Sequence, residues 1–381
     1  MATGFDARTM VPLRARGKPG RPRRQGNLSY IADKRLESRA GIPNNRRMPN
    51  LRFGACALLV SLAFAGCQTS PSSPPISRLP ASEPSPPAAI PSWAPLDSWA
   101  GQNGVNATGP KKVGDNYAYT LRSSAGTLEL VTNSRLATWN GAKLWLGYAP
   151  RLTNRRPHVH AIDLAKNLKP LLKPAPQRIS RNRIVIIDPG HGGGNSGARS
   201  ILSSNKFEKE YSLDWARRLK PMLEKKGWKV FLTRDSDISV SLDERVAIAK
   251  RRKADLFVSL HFNSSFPKLD PSGIETYCLT PRGLPSTTIR SGKDDVNSSH
   301  PNNAHDAANL NRAARIHHSM LSVTGGVDRG VKRARFMTVL QGQAQPAVLI
   351  EAGFLSNPDE ARLISSPAYR EKLAQAVANA F

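Results

Sequence analysis

The chain has 381 residues, enough for two or three domains, and carries 56 Lys and Arg against 28 Asp and Glu for a formal net charge of +28. So strong a positive charge invites nucleic acid, but no stretch interleaves basic and aromatic residues as a recognition motif would, so no nucleic-acid partner is expected. Part of the charge is local: residues 1–47 hold twelve basic residues against three acids, with many prolines and glycines and no apolar periodicity. Such a stretch cannot bury a core and reads as a basic disordered extension.

Met48 then opens a second kind of sequence, "MPNLRFGACALLVSLAFAGCQTS". Arg52 supplies a basic start, Phe53 to Ala65 an apolar run shorter than the roughly 20 residues that span a bilayer, and Ala65-Gly66-Cys67 a small-residue cleavage site. Residues 48–67 are therefore expected to be a signal peptide, with translation starting at Met48 and residues 1–47 lying upstream. "LAFAGC" resembles the lipobox of bacterial lipoproteins, which implies a lipid anchor on Cys67 and attachment to a membrane. Phe64 stands where that pattern usually has an aliphatic residue. Residues 68–97 are rich in Pro, Ser and Ala and read as an extended linker. With Cys56 and Cys67 assigned to the leader, Cys278 has no disulfide partner and reads as an inert core thiol.

A small β-rich module is expected over 98–175. "YAYTLRSS", "TLELVT" and "KLWLGYAP" are strand-like, Asn140-Gly141 is a hairpin signal, and "HAIDLAKNLKPLLKP" is a short amphipathic helix. His158 and His160 could share a strand face, and a structural or solvated role is expected for them because no third ligand is near.

From 181 to the end, strands and helices alternate. "RIVII", "KVFLTR", "DLFVSL", "GIETYCL", "RFMTVL" and "AVLI" read as strands. "EKEYSLDWARRLKPMLEKKG", "LDERVAIAKRRK" and "AANLNRAARIHHSML" read as helices, followed by a C-terminal helical pair in which Asn357 caps and Pro358 takes the first position. Pro221 predicts a kink or break in the first of these helices. The pattern is that of an α/β fold with a mixed, largely parallel sheet flanked by helices. In such folds sites gather beyond the carboxyl ends of strands.

Those ends carry chemistry. "RIVIIDPGH" delivers His191, "DLFVSLH" delivers His261, "PAVLIE" delivers Glu351, and the loop after the first strand leads to Glu208. Two histidines and one carboxylate are a common catalytic zinc set with a fourth position open, and the remaining carboxylate can carry a proton. The opening loop, "RIVIIDPGHGGGNSGA" (Arg183 to Ala198), has competing readings that fail on their partners. A dinucleotide fold wants an acid at the end of the next strand, where Arg234 stands. An esterase wants a Gly-x-Ser-x-Gly elbow, which the chain lacks.

"IDPGHGG", "FEKEYSLDWA", "SLHFNSS" and "PAVLIEAGFLSNPDEARLI", in that order over about 183–381, resemble the zinc-dependent N-acetylmuramoyl-L-alanine amidases of bacterial cell walls. The resemblance implies that His191, Glu208 and His261 hold zinc and that Glu351 is the catalytic acid/base. It implies hydrolysis of the amide between N-acetylmuramic acid and the L-alanine of the stem peptide. Peptidoglycan is then the partner, with a protein activator as a further one, and the compartment is the periplasm or cell envelope. Glu208 is preferred to Glu210 because Lys209 follows it, as in the family's Glu-Lys pair. "DRGVKRARF", with Arg329, Gly330 and Lys332, also matches a family segment. The polar stretch 281–306 is longer than in the family and could form a lid or plug, with His300 and His305 as extra ligands, although a solvated loop is the expectation. His317 and His318 are expected to pack or to face solvent. The alternatives kept open are a non-catalytic peptidoglycan-binding lipoprotein and a zinc peptidase cutting within the stem peptide.

Overall fold

The computed structural model describes residues 92–381, apart from 177–178, 290–291 and 293. The basic extension, the signal peptide with Cys67, and the linker as far as residue 91 lie outside the described residues. The last residues of the expected linker, up to 97, are regular structure. Trp93–Pro95 is already a strand (β1), and Leu96–Gln102 a helix (α1). A meander follows: β2 (Asn106–Val113), β3 (Asn116–Ser123), β4 (Gly126–Val131), β5 (Leu136–Trp139) and β6 (Ala142–Trp145). The β5–β6 turn uses Asn140 at φ 50° and Gly141 at φ 83°, as the Asn-Gly signal requires. β7 (Arg151–Thr153) and β8 (Arg156–His160) pair with each other, and β8 pairs with β1. The expected helix is α2 (Ala161–Asp163) and α3 (Lys169–Leu172), joined by one π-helical turn.

The second half runs β9 (Ile184–Pro189), α4 (Glu208–Lys225), β10 (Lys229–Leu232), α5 (Leu242–Arg252), β11 (Leu256–Asn263) and β12 (Ile274–Cys278). It continues with α6 (Asp306–Thr324), β13 (Asp328–Arg333), α7 (Thr338–Gln341), β14 (Ala347–Phe354), α8 (Pro358–Ser365) and α9 (Pro367–Asn379). Two expectations are corrected here. "RFMTVL" is not a strand; the strand is the charged "DRGVKR" before it, and Thr338–Gln341 closes a helical turn. Of the kink or break expected at Pro221, the break does not occur: α4 runs on through it.

The sheet order is β10-β9-β11-β14-β12-β13-β6-β5-β4-β3-β2. Pairing is parallel from β10 to β14 and between β12 and β13, and antiparallel between β14 and β12. The fold is thus α/β with a mixed sheet flanked by helices. The β-rich meander is not set apart from it by a sheet boundary. β6 adds in parallel to β13, with Val331 opposite Leu144, so one sheet of eleven strands crosses both regions.

Alternation along the central strands divides the core. Val185, Ile187, Val258, Leu260, Val348 and Ile350 face α4, α6 and α9, where Trp215, Leu219, Ile316, Leu373 and Val377 cover them. Ile186, Phe257, Tyr277 and Leu349 face the other way, toward Ala249 of α5 and Val339 and Leu340 of α7. This second cover is short. It leaves a cavity of about 590 Å³ lined by Asp188, His191, His261, Arg245, Phe336 and Met337 among others. Cys278 is a buried free thiol whose pKa burial pushes up, as expected of a core cysteine. Among the described residues no helix is long and apolar enough to cross a membrane.

Candidate metal centre

His191, Glu208 and His261 come together although 17 and 53 positions separate them in order: each offers a ligand atom, and all three atoms lie within 4.8 Å of one another. His261 sits near the carboxyl end of β11, on the thinly covered face, and His191 lies two residues beyond β9 in the glycine turn. Glu208 opens α4. Its carboxylate is fixed on both oxygens. Oε1 accepts from His261 Nδ1 (2.8 Å) and the Phe262 N–H (3.0 Å), and Oε2 accepts from the Ala198 N–H (2.9 Å) with His191 Nε2 at 3.0 Å. Asn195 Oδ1 meets the other ring nitrogen of His191 at 2.9 Å, which leaves Nε2 facing the cluster. Burial pushes the Glu208 carboxyl up, but hydrogen bonds from His191 and His261 outweigh it and hold the group well below the carboxylate range. It is therefore ionised, as a ligand must be. Glu210 instead points outward to Lys206 at 3.2 Å.

Two glycines make room. A Cβ on Gly190 would fall 2.2 Å from His261 Cε1, and one on Gly197, which has φ +70°, would fall 2.6 Å from Glu208 Oε2. Two imidazole nitrogens, one ionised carboxylate and an open cavity beside them fit a catalytic zinc site with a vacant coordination position.

Glu351 stands on β14 with its Cα paired to His261 on β11 and to Glu275 on β12. Paired residues share a face, so Glu351 lies on the His261 side, half-buried. Glu275 was not singled out from the sequence. It is buried and accepts from Lys332 Nζ (2.7 Å), Tyr277 Oη (2.6 Å) and Arg329 Nε, which gives the "DRGVKR" cations a partner. Its signal was present as "GIETY", a charge inside an otherwise apolar strand. Arg234 and Arg245 were also missed; both are buried beside the glycine turn, and Arg245 pairs with Asp188.

The other histidines lie elsewhere. His160 accepts from the Ile162 N–H (3.3 Å) and stacks on Tyr148, while His158 contacts the Arg156 carbonyl at 3.1 Å. His300 caps the turn at 301–305, and His305 Nε2 meets the Ala344 carbonyl at 2.9 Å. None of these joins the cluster, and no described residue of 281–306 lines the cavity beside it. The stretch is packed rather than solvated where Asp294 pairs with Arg335 at 2.6 Å. His317 is wholly buried between Thr276 (3.0 Å) and Asp328 (2.9 Å), a packing role as expected.

A sequence profile of the N-acetylmuramoyl-L-alanine amidase family matches residues 185–381, slightly more than half of the chain. The chain belongs to this family. The amidase AmiC of Neisseria meningitidis is 32% identical over 238 residues, which cover 57% of this chain and 56% of that one. The amidase LytC of Bacillus subtilis is 34% identical over 194 residues, or 51% of this chain and 34% of that one. The chain thus spans about half the length, or less, of these relatives. Among solved structures, an N-acetylmuramoyl-L-alanine amidase from Clostridium difficile 630 is 30% identical with a TM-score of 0.44, covering 53% of this chain and 95% of that one.

Proposed function

We propose that this family member is a zinc-dependent peptidoglycan hydrolase that cleaves the amide between N-acetylmuramic acid and the L-alanine of the stem peptide. The observation that carries the reading is the convergence of His191, Glu208 and His261, with Glu351 in register beside His261. These three residues would hold the ion. Bound there, zinc would supply Lewis acidity toward a carbonyl and a water. Glu351 takes the proton of the attacking water on its carboxylate as the C–O bond forms and the carbonyl π bond opens, then delivers that proton to the alanine nitrogen, which leaves as an amine when the C–N bond breaks and the carbonyl re-forms. Phe336 and Met337 give the cavity beside the ligands an apolar wall against which substrate can pack.

Zinc is favoured over harder cations because two of the three donors are imidazoles. In this reading the chain is exported through residues 48–67 and held in the envelope by a lipid on Cys67, with the Pro/Ser-rich linker as spacer and a protein activator as a further partner. The basic balance, 44 Lys and Arg against 25 acids from Met48 onward, suits a polymer whose stem peptides bear free carboxylates.

Mass spectrometry of material released from purified peptidoglycan tests the reading. The expected products are intact stem peptides beginning with L-alanine, absent after chelation and restored by zinc. Peptides cut internally would indicate a peptidase instead, and binding without release would indicate a non-catalytic wall protein.

A further inference from the structure

From the last residue of β9 onward, three successive carbonyls, those of Pro189, Gly190 and His191, are taken up by two arginines. Arg245, on α5, donates to the Pro189 carbonyl (3.0 Å) and the His191 carbonyl (2.7 Å) while pairing with Asp188. Arg234, just past β10, donates from Nε to the Pro189 carbonyl (3.0 Å). Its Nη2 donates to the Gly190 carbonyl (2.7 Å), the Lys209 carbonyl (2.9 Å) and Ser212 Oγ (3.2 Å). One guanidinium therefore ties the turn that bears His191 to the first turn of α4, which bears Glu208.

This placement is costly. The two side chains are buried, at 2% exposure for Arg234 and 4% for Arg245, and of the two only Arg245 is paired with a carboxylate, that of Asp188, beside a site proposed for a cation. Burial first, and Arg245 second, lower the Arg234 pKa to about 10. Apolar filling would avoid that cost. What only the planar fork offers is several donors in fixed directions for fixed carbonyls. The held segment is itself strained, since His191 has φ +62°, a region that L side chains seldom adopt.

We propose that Arg234 and Arg245 are positioning residues, a carbonyl clamp that holds the His191 turn against α4 and so sets the three ligands for the ion in advance. The clamp goes beyond the hydrolase reading and rests only on the part of it that gives the cluster a divalent metal. Ser212 belongs to the same device: its hydroxyl donates to the Gly190 carbonyl (2.9 Å) and accepts from Arg234.

The test titrates the full chain, stripped of metal, with zinc against a chromophoric chelator, alongside cooperative unfolding of the apo protein and the visible spectrum of the cobalt-loaded form. Arg245→Lys and Arg234→Lys keep the charge and lose the fork. Each is expected to fold and to bind zinc about tenfold or more weakly, with an altered cobalt spectrum. Ser212→Ala is expected to show a smaller loss in the same direction. A folded lysine variant with wild-type zinc affinity and an unchanged cobalt spectrum overturns the clamp. Should both lysine variants fail to fold, Ser212→Ala decides, and unchanged affinity there overturns it. A wild-type chain that takes up no zinc overturns the metal reading, and the clamp with it.

Discussion

Gly190 has no room for a side chain. Its missing side chain is the space in which the His261 ring lies, so Gly190→Ala must displace a ligand or the turn. The expected outcome is a folded protein with weakened zinc uptake, read by metal analysis after dialysis. Glu351→Gln removes the proposed proton carrier and leaves the proposed ligands alone. Turnover should fall by about 10²–10⁴-fold while zinc content and the melting temperature stay near wild type. The positions were legible in the sequence, because His191 lies just beyond an apolar strand, His261 and Glu351 each follow an apolar run within theirs, and Glu208 opens a long amphipathic helix. Arg234 was read only as the wrong residue for a dinucleotide site. Its partners are backbone carbonyls, and a carbonyl leaves no mark in a sequence.

Helices and strands hold these residues through contacts that differ in how visible they were. α8 starts as the sequence required: Asn357 Oδ1 accepts from the Asp359 N–H (3.0 Å) and the Glu360 N–H (3.1 Å), with Pro358 following. Asn357→Ala should cost about 1 kcal/mol in unfolding free energy. α4 is joined to α9 by Asp214, which pairs with Arg370 and, at 2.8 Å, with Arg218. Burial pushes the Asp214 carboxyl up, but the two guanidiniums outweigh it and hold it below its ordinary value. The unfolded chain therefore binds that proton more readily. The stabilisation is complete above the ordinary aspartate value of about 4 and is lost as pH falls through the lower folded one. Asp214→Asn should flatten the loss of melting temperature below about pH 4, and an unchanged acid limb would contradict this. β13 escaped detection because "DRGVKR" has no apolar alternation. Arg333 fills a buried position there by donating to the Leu279 carbonyl (3.2 Å), the Lys166 carbonyl (2.9 Å) and Asn167 Oδ1 (3.0 Å). β2 was equally silent, since all of its residues are exposed.

Across the molecule, the meander and the family-matched region share one sheet and bonded side chains. The Lys143 N–H donates to Asp328 Oδ2 (2.7 Å), Lys166 pairs with Asp306 (2.9 Å), and Asn311 donates to the Pro170 carbonyl (3.0 Å). Cutting the chain at 181 would bare the β13 edge and strip Arg333 of two acceptors. Residues 181–381 alone should therefore aggregate or melt well below residues 92–381, whereas equal melting temperatures would show two independent units. The sequence suggested a small module ahead of a larger one because composition changes between them. The β6–β13 pairing joins residues nearly two hundred positions apart, and nothing local announces it. The most direct measurement is anomalous diffraction at the zinc edge from crystals of the zinc-loaded protein. One strong peak is expected, bonded to His191 Nε2, His261 Nδ1 and the Glu208 carboxylate, on the face of the sheet that Glu351 shares with His261. A peak bonded elsewhere, or none at these residues in a preparation that hydrolyses peptidoglycan, would contradict it.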